Sequence, residues 1–138
     1  MINPFEELLV GLSQRFGTPL RPDKRGACTL SKNEQTLQLE YDPSRDRILV
    51  ASFLGDIPPG KVGENILRDA LKANHPFPEI ATLGYSQRNN KLTLFSYLPI
   101  QGLTADKFAA YLITFIDKAQ KWREAMGTGQ TAQLLLRK

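Results

Sequence analysis

Phe5, Leu8, Leu9, Leu12 and Phe16 recur at helical spacing with polar positions between them, which predicts an amphipathic helix. Asn3 stands where a side chain can cap the free amides, Pro4 occupies the first helical position, Glu6 is placed for a capping box, and Gly17 marks the stop. Two prolines make Thr18 to Gly26 a loop. The period then changes to two. Leu37, Leu39 and Tyr41 alternate with Gln38 and Glu40, so Gln35 to Tyr41 predicts a strand with one apolar face, flanked by strands at Ala27 to Leu30 and Arg47 to Leu54. In the last of these Ile48, Val50 and Leu54 share one face while Leu49, Ala51 and Phe53 occupy the other, the pattern of a strand covered on both sides.

Gly55-Asp56-Ile57-Pro58-Pro59-Gly60 breaks the chain before a short helix from Val62 to Ala73, with Val62, Ile66, Leu67, Ala70 and Leu71 on one side and Asn74 as its stop. A hairpin of Ile80 to Ser86 and Lys91 to Leu98 follows. Thr104 then caps the longest helix, whose stripe is Phe108, Leu112, Phe115, Ile116, Ala119 and Trp122 and whose predicted end is Gly127. The order α-β-β-β-α-β-β-α, with hairpins and no crossovers, predicts a single α+β domain over residues 1–126 on a twisted, mainly antiparallel five-stranded sheet with three helices. Residues 127–138, with Leu134-Leu135-Leu136, read as a flexible C-terminal tail.

Composition narrows the chemistry. The 138 residues include one cysteine, Cys28, and one histidine, His75, which excludes a disulfide framework and a Cys/His zinc site. A lone cysteine suits a reducing compartment, no apolar run reaches the length of a membrane span, and the N-terminus has no secretory pattern, so a cytoplasmic protein is expected. Gly55 to Val62 fits G-x-x-x-x-G-K, but Pro58 and Pro59 have no N–H to cradle phosphate and Val62 has no hydroxyl for Mg²⁺, so a turn explains the residues better. Nothing places an acid or nucleophile beside His75, and Cys28 sits in a strand with no sequence cause for a depressed pKa. A non-enzymatic protein without metal or cofactor is expected. The formal net charge of +4, with Phe95 and Tyr97 alternating on a strand, leaves a small nucleic-acid-binding domain as the alternative, although no three basic residues run together.

The helix Phe5-x-x-Leu8-Leu9, the strand Gly26-Ala27-Cys28-Thr29-Leu30, Leu54-Gly55-Asp56-Ile57-Pro58, Leu71-Lys72-Ala73-Asn74, Gly84-Tyr85 before a polar turn, Leu94 to Leu98 ending in Pro99, and Ala119-x-x-Trp122-Arg123 together resemble the class I type III secretion chaperones, the Tir-chaperone (CesT/SycE-like) family. The resemblance runs from Phe5 to Met126 and implies the same element order. It further implies a bacterial cytoplasmic homodimer that binds the N-terminal chaperone-binding segment of a secreted effector and holds it extended for export without ATP. Effector contacts expected from it are Phe5, Leu9, Val10, Phe16, Leu30, Leu37 and Leu39; dimer contacts are Ile66, Leu67, Ala70, Leu83 and Tyr85. The resembled family is usually acidic, whereas this chain has a sequence pI near 9.3.

Overall fold

Asn3 caps the first helix as its position suggests, its side-chain oxygen accepting the Glu6 N–H at 2.8 Å, and Gly17 ends it in the left-handed conformation. In the computed structural model, which describes residues 3–136, this helix is α1 (Pro4–Phe16). There follow β1 (Ala27–Lys32), β2 (Gln35–Asp42), β3 (Arg47–Asp56), α2 (Gly60–Ala73), β4 (Thr82–Ser86), β5 (Lys91–Pro99), α3 (Ala105–Thr128) and a 3-10 turn, Thr131–Leu136. The α-β-β-β-α-β-β-α order expected from the sequence is therefore present. All five strands lie in one antiparallel sheet in the order β1-β2-β3-β5-β4. Asn33 and Glu34 both take positive φ, the geometry a two-residue turn needs to join β1 to β2 without splaying them.

The two faces of the sheet differ. Cys28, Leu30, Leu37, Leu39, Ile48, Val50, Leu54, Leu83, Leu92 and Leu94 are buried in one cluster with Phe5, Leu8, Leu9 and Leu12 of α1 and the apolar stripe of α3. At Gly11 the two helices approach so closely that an added Cβ would sit 2.5 Å from that of Ala105. On the opposite face the register sets Leu49 beside Tyr97, Ala51 beside Phe95 and Phe53 beside Thr93. None of the helices among the described residues lies there. The second short helix, α2, instead buries Ile66 and Ala70 beside β4, so β3 is covered on one side only. Its two-faced apolar pattern, read as burial on both sides, thus marks a sheet face that stays half-exposed.

Most strands differ by one or two residues from their expected ends, β4 starting at Thr82 and not at Ile80, and two helix boundaries differ as well. α2 starts two residues earlier than Val62, because Gly60 takes φ 76° and Gly63 lets the helix turn lie directly against the Pro58 carbonyl. α3 passes through Gly127 and ends at Gly129, whose left-handed backbone brings its N–H to Ala125 O. Two residues of the 3-10 turn 131–136 meet the domain: Thr131 Oγ1 donates to Asp69 Oδ2 at 2.7 Å in a buried contact, and Leu134 lies against the core. The polar pair satisfies itself, which anchors the turn on α2. The tail read from the sequence over 127–138 thus contains the end of α3 and this short turn, and residues 137–138 lie outside the described residues. No helix among the described residues is long and apolar enough to cross a membrane.

Candidate functional site

The open sheet face is the largest change the structure makes to the sequence picture. Its middle is apolar: Leu49, Ala51 and Phe95 are partly buried, while Phe53 and Tyr97 remain 50% and 46% exposed. Gly84 on β4 leaves room for the Phe95 ring, which comes within 3.1 Å of where a Cβ would stand. Tyr97 is fixed from its other side, with the Arg47 guanidinium 3.8 Å from the ring centroid and Arg47 Nε 3.6 Å from Asp42. The Asp42 carboxyl is held below its ordinary range, first by the Ser44 hydroxyl and then by its neighbouring backbone and arginines. A cavity of about 400 Å³ opens on this face beside Phe53, Leu49 and Ala51, bounded by Gln38, Glu34 and Arg123. Arg123 donates to Glu34 O at 2.7 Å and Gln120 to Asn33 O at 2.6 Å, so α3 fixes the β1–β2 turn at the rim.

The sheet also has two edges, and they are treated differently. At β4 the side-chain amide of Asn74 donates to Leu83 O at 2.8 Å and accepts Leu83 N–H at 3.0 Å, while Lys118 Nζ donates to Ala81 O at 3.0 Å. Side chains thus occupy both outward backbone groups of Leu83, in the middle of that edge, and the carbonyl of Ala81 just before it. At β1, among the described residues, the first outward residue alone is taken: Ala27 N–H donates to Asp23 Oδ1 and Ala27 O accepts the Asp23 N–H. By the alternation of an antiparallel ladder, Thr29 and Ser31 share the outward phase of Ala27 and present their backbone groups to an added strand. The N–H groups of Ala27 and Arg25 lower the Asp23 pKa.

The expected effector contacts separate by burial. Phe5, Leu9, Leu30, Leu37 and Leu39 lie in the core, with the Phe5 ring stacked on Tyr41 at 5.7 Å. Val10 is 54% exposed, and Phe16 is partly buried with Lys32 Nζ 5.6 Å from its ring. Of the expected dimer contacts, Ile66, Ala70 and Leu83 are buried within the chain, Leu67 is partly buried, and Tyr85 is 48% exposed with its hydroxyl donating to Asn90. Core packing thus consumes eight of the twelve residues, Leu67 and Phe16 lie at its edge, and Val10 and Tyr85 face outward. Leu71, at 70% exposure, extends the outward apolar edge of α2. Asn74 and Asp23 were missed as edge residues: one reads as a helix stop and the other as a loop carboxylate until the fold sets each beside a strand. Burial raises the Cys28 pKa, which keeps the thiol protonated and unsuited to nucleophilic attack.

Comparison with known families decides the kinship: the Tir chaperone protein (CesT) family matches residues 7–123. The chain belongs to the Tir chaperone family. No curated protein matches it. Among solved structures, this Tir chaperone family member superposes on a chain of the HopA1–SchA chaperone–effector complex with a TM-score of 0.72 at 21% identity, covering 88% of this chain and 94% of that one. A chain of the ExsC–ExsE complex gives 0.75 at 24% identity, covering 86% and 90%. The Yersinia pestis type III secretion chaperone SycH, solved with a fragment of YscM2, gives 0.68 at 17% identity, covering 86% and 98%. These likenesses extend the family's fold over nearly the whole chain.

Proposed function

We propose that the chain is a type III secretion chaperone that binds the N-terminal segment of a secreted effector and holds it extended in the bacterial cytoplasm, without catalysis, ATP, metal or cofactor. The observation that carries this reading is the family match over residues 7–123 on a sheet with one uncovered apolar face and an edge open at Thr29 and Ser31. An extended segment gains affinity from backbone bonding at Thr29 and Ser31 whatever its sequence, and specificity from side chains set into apolar surface at Val10 and Phe16 or along Leu49, Phe53 and Tyr97. Support for an effector as partner comes from the SchA, ExsC and SycH complexes, each of which pairs a chain of this fold with a second protein. Neither family nor fold favours the nucleic-acid alternative.

The proposed working form is a homodimer joined through the outward edge of α2 and β4, with Leu67, Leu71 and Tyr85 as its apolar contacts. Ile66, Ala70 and Leu83 support that surface from beneath. Light scattering should give a mass near twice 15.5 kDa. Effector capture is tested by co-purification with N-terminal segments of secreted proteins from the same genome, comparing the wild type with Val10→Asp. Val10 is exposed, so the variant should keep its melting temperature and lose captured effector. Equal capture by both would remove α1 from the binding surface; a wild type that captures no secreted protein would sink the chaperone reading.

A further inference from the structure

A second apolar concavity lies away from α1, β1 and the open sheet face. It has a volume of about 460 Å³ and sits where the last turn of α2, the loop before β4, the middle of α3 and the C-terminal 3-10 turn meet. Its apolar walls are Ala73, Ile80, Trp122, Leu134 and Leu135. Lys72, Lys118 and Lys121 line it with Glu79 and Asp117, an excess of one positive charge in a chain already at +4. Exposed apolar side chains gather around it as well. Ile80 is exposed in its wall, Phe77 lies in the same loop, and Ile113 and Leu136 each adjoin a lining residue in the chain.

The wall at Ile80 is held in an unfavourable backbone conformation. Ile80 has φ 70°, a left-handed value that a β-branched residue rarely adopts. Three bonds from α3 keep it there: Tyr111 donates its hydroxyl to Ile80 O at 2.9 Å, and Lys118 Nζ bonds the carbonyls of both Glu79 and Ala81. Strain of this kind persists only where its surroundings over-determine it, and here the result is an exposed isoleucine facing the cleft beside Trp122.

We infer that this cleft is a docking site for an acidic amphipathic segment of a partner protein, an apolar side chain seating among Ile80, Trp122 and Leu134 while flanking carboxylates meet Lys72 and Lys121. The sign of the lining charge selects the acidic segment, and the apolar floor requires an aliphatic or aromatic anchor. Lys121 already pairs with Asp117 at 3.0 Å in an exposed contact that a partner's carboxylate can share, and Lys72 has no ion pair among the described residues. The inference goes beyond the effector reading, since the cleft shares no residue with Val10, the β1 edge or the open face.

Trp122 is the chain's only tryptophan, so its emission reports this site alone. The probe is a synthetic peptide with the repeat Leu-Glu-Glu-Leu, titrated into the full chain, with one control carrying Lys for Glu and another Ser for Leu. The acidic amphipathic peptide should shift Trp122 emission saturably, and neither control should do so at the same concentrations. Ile80→Gly should weaken binding by at least about tenfold while the melting temperature holds or rises, because glycine accepts the left-handed backbone. Lys72→Glu, at an exposed position, should weaken the acidic peptide and leave the fold unchanged. Val10→Asp should leave the titration unaltered, which separates this site from effector capture. Equal shifts with the lysine peptide, no shift with the glutamate peptide, undiminished binding by Ile80→Gly and Lys72→Glu, or a shift that follows protein concentration without peptide would each overturn the assignment.

Discussion

The side-chain amide of Asn74 bonds both backbone groups of Leu83, doing at one position what a neighbouring strand would do along a whole edge. Since Leu83 is buried, removing the amide leaves a donor and an acceptor with poor access to water. Asn74→Ala is expected to cost about 1–3 kcal/mol, read as a lower denaturant midpoint with an unchanged slope. An unshifted midpoint would show that water replaces the amide freely.

Gly63 and Gly127 make a paired test of close packing. A Cβ at Gly63 would stand 1.9 Å from the Pro58 carbonyl oxygen, so Gly63→Ala should destabilise by about 1–3 kcal/mol through forced backbone movement. Gly127 lies within α3 with nothing within 4 Å of its added Cβ, and Gly127→Ala should stabilise by about 0.5–1 kcal/mol. Thermal melts of the two variants should move in opposite directions.

The first helix and the two long hairpins were legible because their signals are local: a capped 3.6 period in α1 and alternating apolar positions in β2. What stayed hidden depended on residues far apart in the chain. Thr131 meets Asp69 across 62 positions, and nothing in Thr131-Ala132-Gln133 announces a buried bond to α2. The apolar stripe of α1 was read correctly as a stripe, yet whether Leu9 or Val10 faces a partner depends on where α3 lies across it. Phe53 had the opposite difficulty: its pattern implied cover that the chain does not provide.

Leu37 is fully buried on the face beneath the helices. Leu37→Ala should cost about 2–5 kcal/mol through lost burial and the remaining cavity. Its value for the chaperone reading lies in contrast with Val10→Asp: the leucine variant should lose effector capture only as far as it unfolds, measured by capture at several temperatures. Selective loss at a temperature where the variant is fully folded would mean that Leu37 reaches the partner.

Asp23 supplies a pH test. Its pKa is lowered from the ordinary 3.8 by the N–H groups of Ala27 and Arg25, so in the folded chain it binds its proton less readily than in the unfolded one. The stabilisation is complete above that ordinary value and is lost as pH falls through the lower folded-state value. The difference in melting temperature between wild type and Asp23→Ala should therefore be present near neutral pH and close at strongly acid pH. A gap that persists in acid would assign the role of Asp23 to its shape rather than its charge.

The unequal edges of the sheet also limit how copies can stack. Growth by strand pairing needs a head and a tail on each molecule, here β1 of one copy against β4 of the next, and such a heterologous contact runs on as a filament unless its rotation closes a ring. With Asn74 occupying Leu83 and Lys118 the Ala81 carbonyl, such a series meets a blocked position in the middle of β4. The β1 edge, open at Thr29 and Ser31, is left for a single extended guest strand. The amide of one asparagine thereby sets a limit on sheet-to-sheet growth at β4.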